Sequence, residues 1–515
     1  MFDLFRQVLI LATLVLLVVV YFSKSNARRR SLPPGPKPLP IIGNVLEIPT
    51  ERSWIKYAEW GRLYGDVIHV KAIGQSLIIL NSAKAIFDLL ERKGGIYADR
   101  PQVVMAGDLV GWNNSPFLGH SGPRHKEYRR LFTEVLSARK VEEWRPLQQA
   151  KVIQLAAQLM KSPDAFRAHI KSHVGNLIFE ISHGHLVKDD SDALLTIAQQ
   201  VDHDFAEMVV PGAFLVDVFP ILRHLPSWTG ASFKRKAKQY RETLTAALEW
   251  PYQQVKDQIA AGTALPSFTT SLIERKENAT EEDEFNFKWA SLGFVLAGSD
   301  TSYGSLTSFV LAMSLHPEVQ RKAQAEIDSV VGASRLPTFL DRPDMPYVEG
   351  LVREVYRWNP VGPIASPHRL TTEADDVYRD WTIPKGSVVI ANSWGVMHDP
   401  EVYPDPFEFN PDRYILGKTN DGIRVWSDPL GPDQIINPDP RKFAFGYGRR
   451  ICPGQLLADD TVYMGIVTML ALFDIGPLTS GKPPQYTPNV ISHPEHFACS
   501  MKPRSHQAQD LVMGH

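Results

Sequence analysis

The chain has 515 residues, a formal net charge of −2, 44% hydrophobic and 22% charged residues, and only two cysteines. Charge this close to zero offers no footprint for nucleic acid, and two cysteines exclude a disulfide-built scaffold. Length alone suggests about three domains, yet after the N-terminal segment no linker divides the sequence, so one large domain is expected.

In chain order, residues 1–23 read as a membrane anchor. Val8–Phe22 is an uncharged apolar run followed by Lys24 and Arg28, Arg29 and Arg30, with no clear small-x-small cleavage site. Positive charge on that flank keeps it cytoplasmic. Residues 24–44 form a basic and then proline-rich connector, ending in LPPGPKPLPIIGN, which is stiff. Residues 45–505 read as the main domain. Gly65–Leu80 alternates and turns like a β-hairpin, and Ser387–Asn392 reads as a strand able to join it. Elsewhere the apolar period is helical: Val141–Met160, Gly175–Ile181, Phe233–Val255, Phe285–Ser314 and Pro317–Val331. The last ten residues, 506–515, read as a disordered polar tail. The fold class is therefore mainly α with a small β region.

Three local patterns carry chemistry. Ala297-Gly298-Ser299-Asp300-Thr301-Ser302 sits inside the Phe285–Ser314 helix. An interior glycine costs about 1 kcal/mol relative to alanine and is accepted where a ligand or another backbone comes close. Asp300 beside Thr301 suits proton delivery, with Thr301 holding water or oxygen and Asp300 relaying protons. The competing reading is a packing face whose threonine bonds its own backbone. Glu354 and Arg357 lie three apart on a helix that stops before Pro360. Such a pair is ordinarily a surface feature, but Leu351, Val352, Val355, Tyr356 and Trp358 around it are apolar and point to a buried helix. Finally, Phe445–Gly454 reads FGYGRRICPG and precedes a long apolar helix. A cysteine just ahead of a helix N-terminus and beside arginines is held as the thiolate. That form ligates iron and favours O–O cleavage.

The last segment resembles the cysteine loop of the cytochrome P-450 family at Phe445, Gly448, Arg450, Cys452 and Gly454. The resemblance implies haem b with Cys452 as its proximal ligand, Arg450 on a propionate and Phe445 packed under the sulfur. It makes Asp300 and Thr301 the oxygen-activating pair, and Glu354, Arg357 and Arg413 a buried structural clasp. His368 is expected at a propionate, with Arg369 sharing the role. Arg129 keeps the family's position in its Trp-x-x-x-Arg helix, while His125 stands where tryptophan is usual and leaves its own role open. With one of two cysteines on iron, no intramolecular disulfide forms. The N-terminus is similar to microsomal members, which implies an endoplasmic-reticulum anchor with a cytosolic catalytic domain. The sequons at Asn113 and Asn278 would then stay unmodified.

No G-x-G-x-x-G fingerprint, P-loop or cysteine cluster occurs, so electrons must come from a separate NADPH-dependent flavoprotein reductase. Arg441, Lys442, Arg449, Lys126 and Arg130 are expected to offer it a basic surface. Substrate walls are expected from Gln102–Leu118, Gly212–Leu222, Phe294, Val361, Ile364, Ala365 and Val490, which suits a hydrophobic small molecule. The wording is most similar to fungal monooxygenases of secondary metabolism. A haem-thiolate isomerase or peroxide-using enzyme, and a non-catalytic haem sensor, remain the alternatives at this stage.

Overall fold

The computed structural model describes residues 31–187, 192–210, 212–226, 231–276, 278–419, 422–424, 437–479, 481–488 and 490–513. The expected anchor and the start of the connector lie outside them. Helix α1 (Ser53–Tyr64) leads into hairpin β1 (Val67–Ala72) and β2 (Gln75–Leu80). Then come α2 (Pro123–Leu136), α3 (Ala138–Lys161), α4 (Phe166–His183), α5 (Ala193–Met208) and α6 (Ser232–Ala260). The longest helix is α7 (Glu281–Leu315), followed by α8 (Pro317–Val330) and α9 (Pro346–Trp358). Strands β3 (His368–Arg369) and β4 (Val388–Ala391) precede α10 (Gln455–Leu472), and β5 (Phe473–Leu478), β6 (Cys499–Pro503) and α11 (His506–Met513) close the chain.

Helix α7 starts at a capping box between Thr280 and Asp283, with four acids in its first turn opposing the helix dipole. Most of its length, residues 290–296 and 302–314, is buried, with Phe287, Val295, Leu306, Phe309 and Val310 in the core, because its apolar residues form no single stripe. The same holds for α10. Among the described residues it is the one helix long and apolar enough to cross a bilayer, but 78% of that window is buried in the protein. These two helices form the axis of the main core, with α3, α4 and α9 packed around them.

The sheet has the order β1-β2-β4-β3. Strand β4 joins the hairpin in parallel, from Leu77 opposite Val388 to Leu80 opposite Ala391, and β3 pairs antiparallel with His368 opposite Val389. That register delivers His368 to the sheet's inner edge. The C-terminus corrects the sequence reading: His506–Met513 is not a disordered tail but a helix, because Ala508 and Val512, four residues apart, bury one face. Helix α4 also begins well before Gly175, since its early polar residues hide the apolar period.

Behind the cysteine loop, α9 supplies Glu354 and Arg357, both fully buried. Arg357 Nε and Nη2 donate to the two Glu354 oxygens at 2.8 Å each. Its remaining N–H groups donate to the carbonyls of Met397, Pro406 and Glu408 at 2.7–3.0 Å, so all five donors of the fork are used. Glu354 Oε1 also accepts from the Asn410 amide (2.9 Å) and Arg413 Nε (3.1 Å), and Oε2 from the Tyr414 hydroxyl (3.1 Å). Breaking a buried pair costs more than the pair is worth, because a desolvated charge is left behind. Glu354→Ala is expected to destabilise the domain by about 3–5 kcal/mol, read as a lowered urea midpoint of the full chain. Arg357→Lys, with three donors and no fork, should restore little of it; a lysine variant of wild-type stability would contradict the bidentate account.

Candidate active site

The Phe445–Gly454 loop is shaped by backbone that only glycine tolerates. Gly446 and Gly448 have φ of 76° and 56°, and a Cβ at Gly448 would lie 2.1 Å from the Leu90 carbonyl oxygen. The Cys452 amide donates to the Phe445 carbonyl at 2.8 Å, and the Phe445 ring meets Tyr356 edge-on at 5.4 Å. Cys452 is half-buried. Burial pushes its thiol above the ordinary value, against a bond from the Gly454 amide and the charge of Arg129. The thiolate expected from dipole and guanidinium is therefore not set by the polypeptide alone, because desolvation is the larger effect.

Around the loop, positive groups converge. Arg129 Nη1 donates to the Ile451 carbonyl at 2.6 Å. Arg450 donates to the carbonyls of Ala98 and Gly119 at 2.7 Å, and more distantly to Pro116 at 3.5 Å. Arg100, 6% exposed, donates to Phe117 (3.0 Å), Ser366 (2.6 Å) and Pro367 (2.8 Å). Burial and the neighbouring Arg450 lower Arg100 to about 9, and burial lowers Arg450 to about 10. The His368 Nδ1–H donates to the Tyr97 carbonyl at 2.8 Å; burial first, then Arg100, lowers this imidazole to about 3. His125 is lowered to about 4 by burial and then by Arg450, Arg129 and Arg100. Both imidazoles are neutral at pH 7. The nearby carboxylate, Asp99, is already engaged by His120 (3.2 Å) and the Ser121 amide (2.7 Å), which outweigh its desolvation and hold it at about 2.

The structure thus brings Arg129, Arg450, His125 and His368 together beside Cys452, and adds Arg100, to which the sequence reading gave no role. The only local signal was its place in Asp99-Arg100-Pro101; burial of an arginine in a loop leaves no periodic trace. Arg369 is half-buried, and its backbone amide donates to the Asp99 carbonyl at 2.9 Å.

On α7, residues 290–296 and 302–314 are buried, while Ala297 is exposed and Gly298–Thr301 are intermediate. A Cβ at Gly298 would lie 2.7 Å from Ile178 Cδ1 of α4. That glycine packs closely against α4, as the packing-face reading expects, and Ala297 beside it is exposed. The Thr301 hydroxyl donates to the Ala297 carbonyl at 2.9 Å, leaving its lone pairs free to accept. The loop 490–493 reaches α7 through the Tyr303–His493 ring contact (5.6 Å), and the Ser492 amide donates to the Val361 carbonyl at 2.8 Å.

The expected walls divide. Met105, Ala106, Val110 and Trp112 of the first stretch are buried, as is Val216. Leu215, Phe219, Ile221 and Val490 are exposed, and Phe294 packs on Phe268 at 5.7 Å. The expected basic surface divides too. Lys126, Lys442 and Arg449 are exposed. Arg130 is paired with Glu127 and Glu134, and Arg441 is drawn inward to Glu349, Asp439 and Asp459.

A family model described as cytochrome P450 matches residues 33–501. Cytochrome P450 monooxygenase 208 of Postia placenta is 39% identical over 96% of this chain and 95% of its own length. Cytochrome P450 monooxygenase claR of Ampulloclitocybe clavipes is 39% identical over 94% of this chain and 89% of its own. Tryptamine 4-monooxygenase of Psilocybe cyanescens is 38% identical over 99% of this chain and all of its own. With its family model spanning nearly the whole chain and these relatives beside it, this protein belongs to the cytochrome P450 family and is an oxidoreductase of the monooxygenase class.

Proposed function

We propose that this enzyme inserts one oxygen atom into a hydrophobic small molecule of fungal secondary metabolism, with Cys452 as the axial ligand of haem b. The observation that carries the reading is the cation cluster around the cysteine loop. Arg100, Arg129 and Arg450 have carbonyl partners, and Asp99 is occupied. A dianionic haem edge supplies the charge this cluster lacks, and Arg forks suit carboxylates. Haem bound through a thiolate supplies oxygen activation, the thiolate pushing electron density toward O–O cleavage. A coordinating thiol is deprotonated outright by its metal, which accounts for a cysteine whose pocket favours the neutral form.

The chain's own residues do the rest. Phe445 covers one side of the Cys452 loop and closes it with its carbonyl. Thr301 Oγ1, committed as a donor to Ala297, accepts a hydrogen bond from a proton-bearing oxygen species, and Asp300 moves protons toward it. That intact pair favours dioxygen chemistry over the isomerase and peroxide-using alternatives. His125, His368 and Arg369 complete the propionate side; the imidazoles gain protons once carboxylates face them. Electrons come from an NADPH-dependent flavoprotein reductase docking on the face that carries Lys126, Lys442 and Arg449. Residues 1–23 anchor the enzyme in the endoplasmic reticulum membrane, and the exposed Leu39 and Ile41 at the end of the connector, with Leu46 just after it, suit a surface lying close to lipid. The relative named for tryptamine makes indole amines the first substrates to try.

Reconstituted with reductase and NADPH under labelled dioxygen, the enzyme is expected to place one labelled atom in a product from a panel of indole amines and terpenoids. NADPH-independent turnover, or no consumption of dioxygen with any of them, would contradict the reading. Thr301→Ala should keep haem but raise the peroxide released per NADPH several-fold; a fully coupled variant would remove Thr301 from the mechanism. Arg100→Gln should weaken haem retention about tenfold or more, as charged hydrogen bonds of about 1.5–3 kcal/mol are lost. Soret absorbance per protein after dialysis against apomyoglobin checks this.

A further inference from the structure

The stretch Gln102–Leu118, assigned to the substrate wall, belongs to one loop whose two ends come together. The chain leaves at Ala98–Arg100 and returns at Phe117–Ser121. Arg450 bridges these ends, donating to the Ala98 carbonyl on one side and the Gly119 carbonyl on the other, at 2.7 Å each. Arg100, on the outgoing side, reaches the Phe117 carbonyl on the returning side at 3.0 Å. Asp99 closes the neck directly. Its Oδ1 accepts from the Ser121 amide at 2.7 Å, and its two oxygens lie 3.2 and 3.3 Å from His120 Nδ1. The Asp99 carbonyl accepts from the Arg369 amide at 2.9 Å, which fixes the outgoing side to β3. Beyond the neck, the Met105 amide donates to Asp217 at 2.7 Å, and Trp112 packs on Phe205 of α5 and Trp289 of α7 at 4.4 and 6.0 Å.

Of these ties across the neck, one changes charge near neutral pH. A backbone amide does not titrate, Asp99 is held at about 2, and Arg100 and Arg450 stay charged up to about 9 and about 10. His120 is the exception. Its side chain is 44% exposed while that of Asp99 is 10% exposed, so solvent protons reach the ring and the carboxylate stays shielded. Among the described residues, the charged groups facing His120 are Asp99, Arg369 and Arg450. The bond to Asp99 raises the imidazole above its ordinary 6.5, against burial and then the charges of the two arginines. A propionate held by Arg450 would offset that guanidinium and leave the sign unchanged.

We propose that Asp99 and His120 are positioning residues for the substrate wall, a latch that holds the neck of its loop closed while His120 is an imidazolium. This rests on the assignment of Gln102–Leu118 to that wall. A protonated ring donates Nδ1–H to the carboxylate and also matches its charge; a neutral ring loses the second part. The folded value lies above the unfolded one, so the latch is complete below pH 6.5 and is lost as the pH rises through the folded value. The ties from Arg100, Arg450 and the Ser121 amide remain. The neck therefore loosens without unfolding the domain.

The test compares the full-length, haem-loaded enzyme with His120→Gln, His120→Lys and Asp99→Asn between pH 6 and 9. Hydrogen exchange of peptides spanning 99–121, corrected for the intrinsic rate, should quicken about threefold with pH in the wild type, the scale of a half-exposed ion pair. His120→Gln and Asp99→Asn should show the faster rate at every pH. His120→Lys should stay slow throughout, because lysine remains charged. The Kd of tryptamine, read from its Soret shift, should rise with pH by the same factor while kcat hardly moves. A wild-type loop with pH-independent corrected exchange, or a glutamine variant that keeps the wild-type pH step, overturns the latch. A pH step in exchange with a constant Kd upholds the latch and removes Gln102–Leu118 from the substrate wall, so the two failures are told apart.

Discussion

Positive charge held in place by neutral carbonyls is the constraint on which the rest of this structure depends. Arg100, Arg129 and Arg450 donate to Phe117, Ser366, Pro367, Ile451, Ala98 and Gly119. These carbonyls belong to segments far apart in sequence, so three side chains lock the loops before α2, after α9 and around the cysteine into one frame. A carbonyl satisfies an N–H without neutralising the charge. The frame is therefore rigid and short of anions at once, which is what recognition of a carboxylated cofactor requires. The Glu354–Arg357–Arg413 network behind the same loop is built differently: one carboxylate, Glu354, bridges two guanidiniums, and all five Arg357 donors are used.

The two sides of the site differ in how much the polypeptide prepares. The cysteine loop is preformed in shape, by Gly446, Gly448 and the Cys452–Phe445 bond, but not in charge, since burial favours the neutral thiol. On α7 the reverse holds. Burial, and then the neighbouring Asp300, raise the Asp202 carboxyl, while the Thr301 hydroxyl stays tied to its own helix. On the proposed reading, the iron ligand becomes a thiolate only as metal and cysteine meet.

Much of this was legible in the sequence because it was periodic or local. The hairpin, the parallel strand and the long central helix follow from alternation and apolar spacing, and the cysteine loop from a dense run of turn-forming residues. What could not be read depends on contacts between distant segments. Gly298 looks like room for a ligand until Ile178 of another helix is seen against it. Arg441 looks like surface charge until Glu349 and Asp459 arrive from α9 and α10. Arg100 sits in an ordinary polar stretch, and only tertiary packing buries it. The C-terminal helix was missed because two small apolar residues, Ala508 and Val512, suffice to bury one face of a short segment.

The central claim, a haem held by the thiolate of Cys452, is tested most directly by the carbon monoxide difference spectrum of the reduced full-length protein. The account predicts a strongly red-shifted Soret band in the wild-type protein and its loss in Cys452→Ala. A band typical of histidine ligation in the intact protein, or a red-shifted band that survives Cys452→Ala, would contradict it.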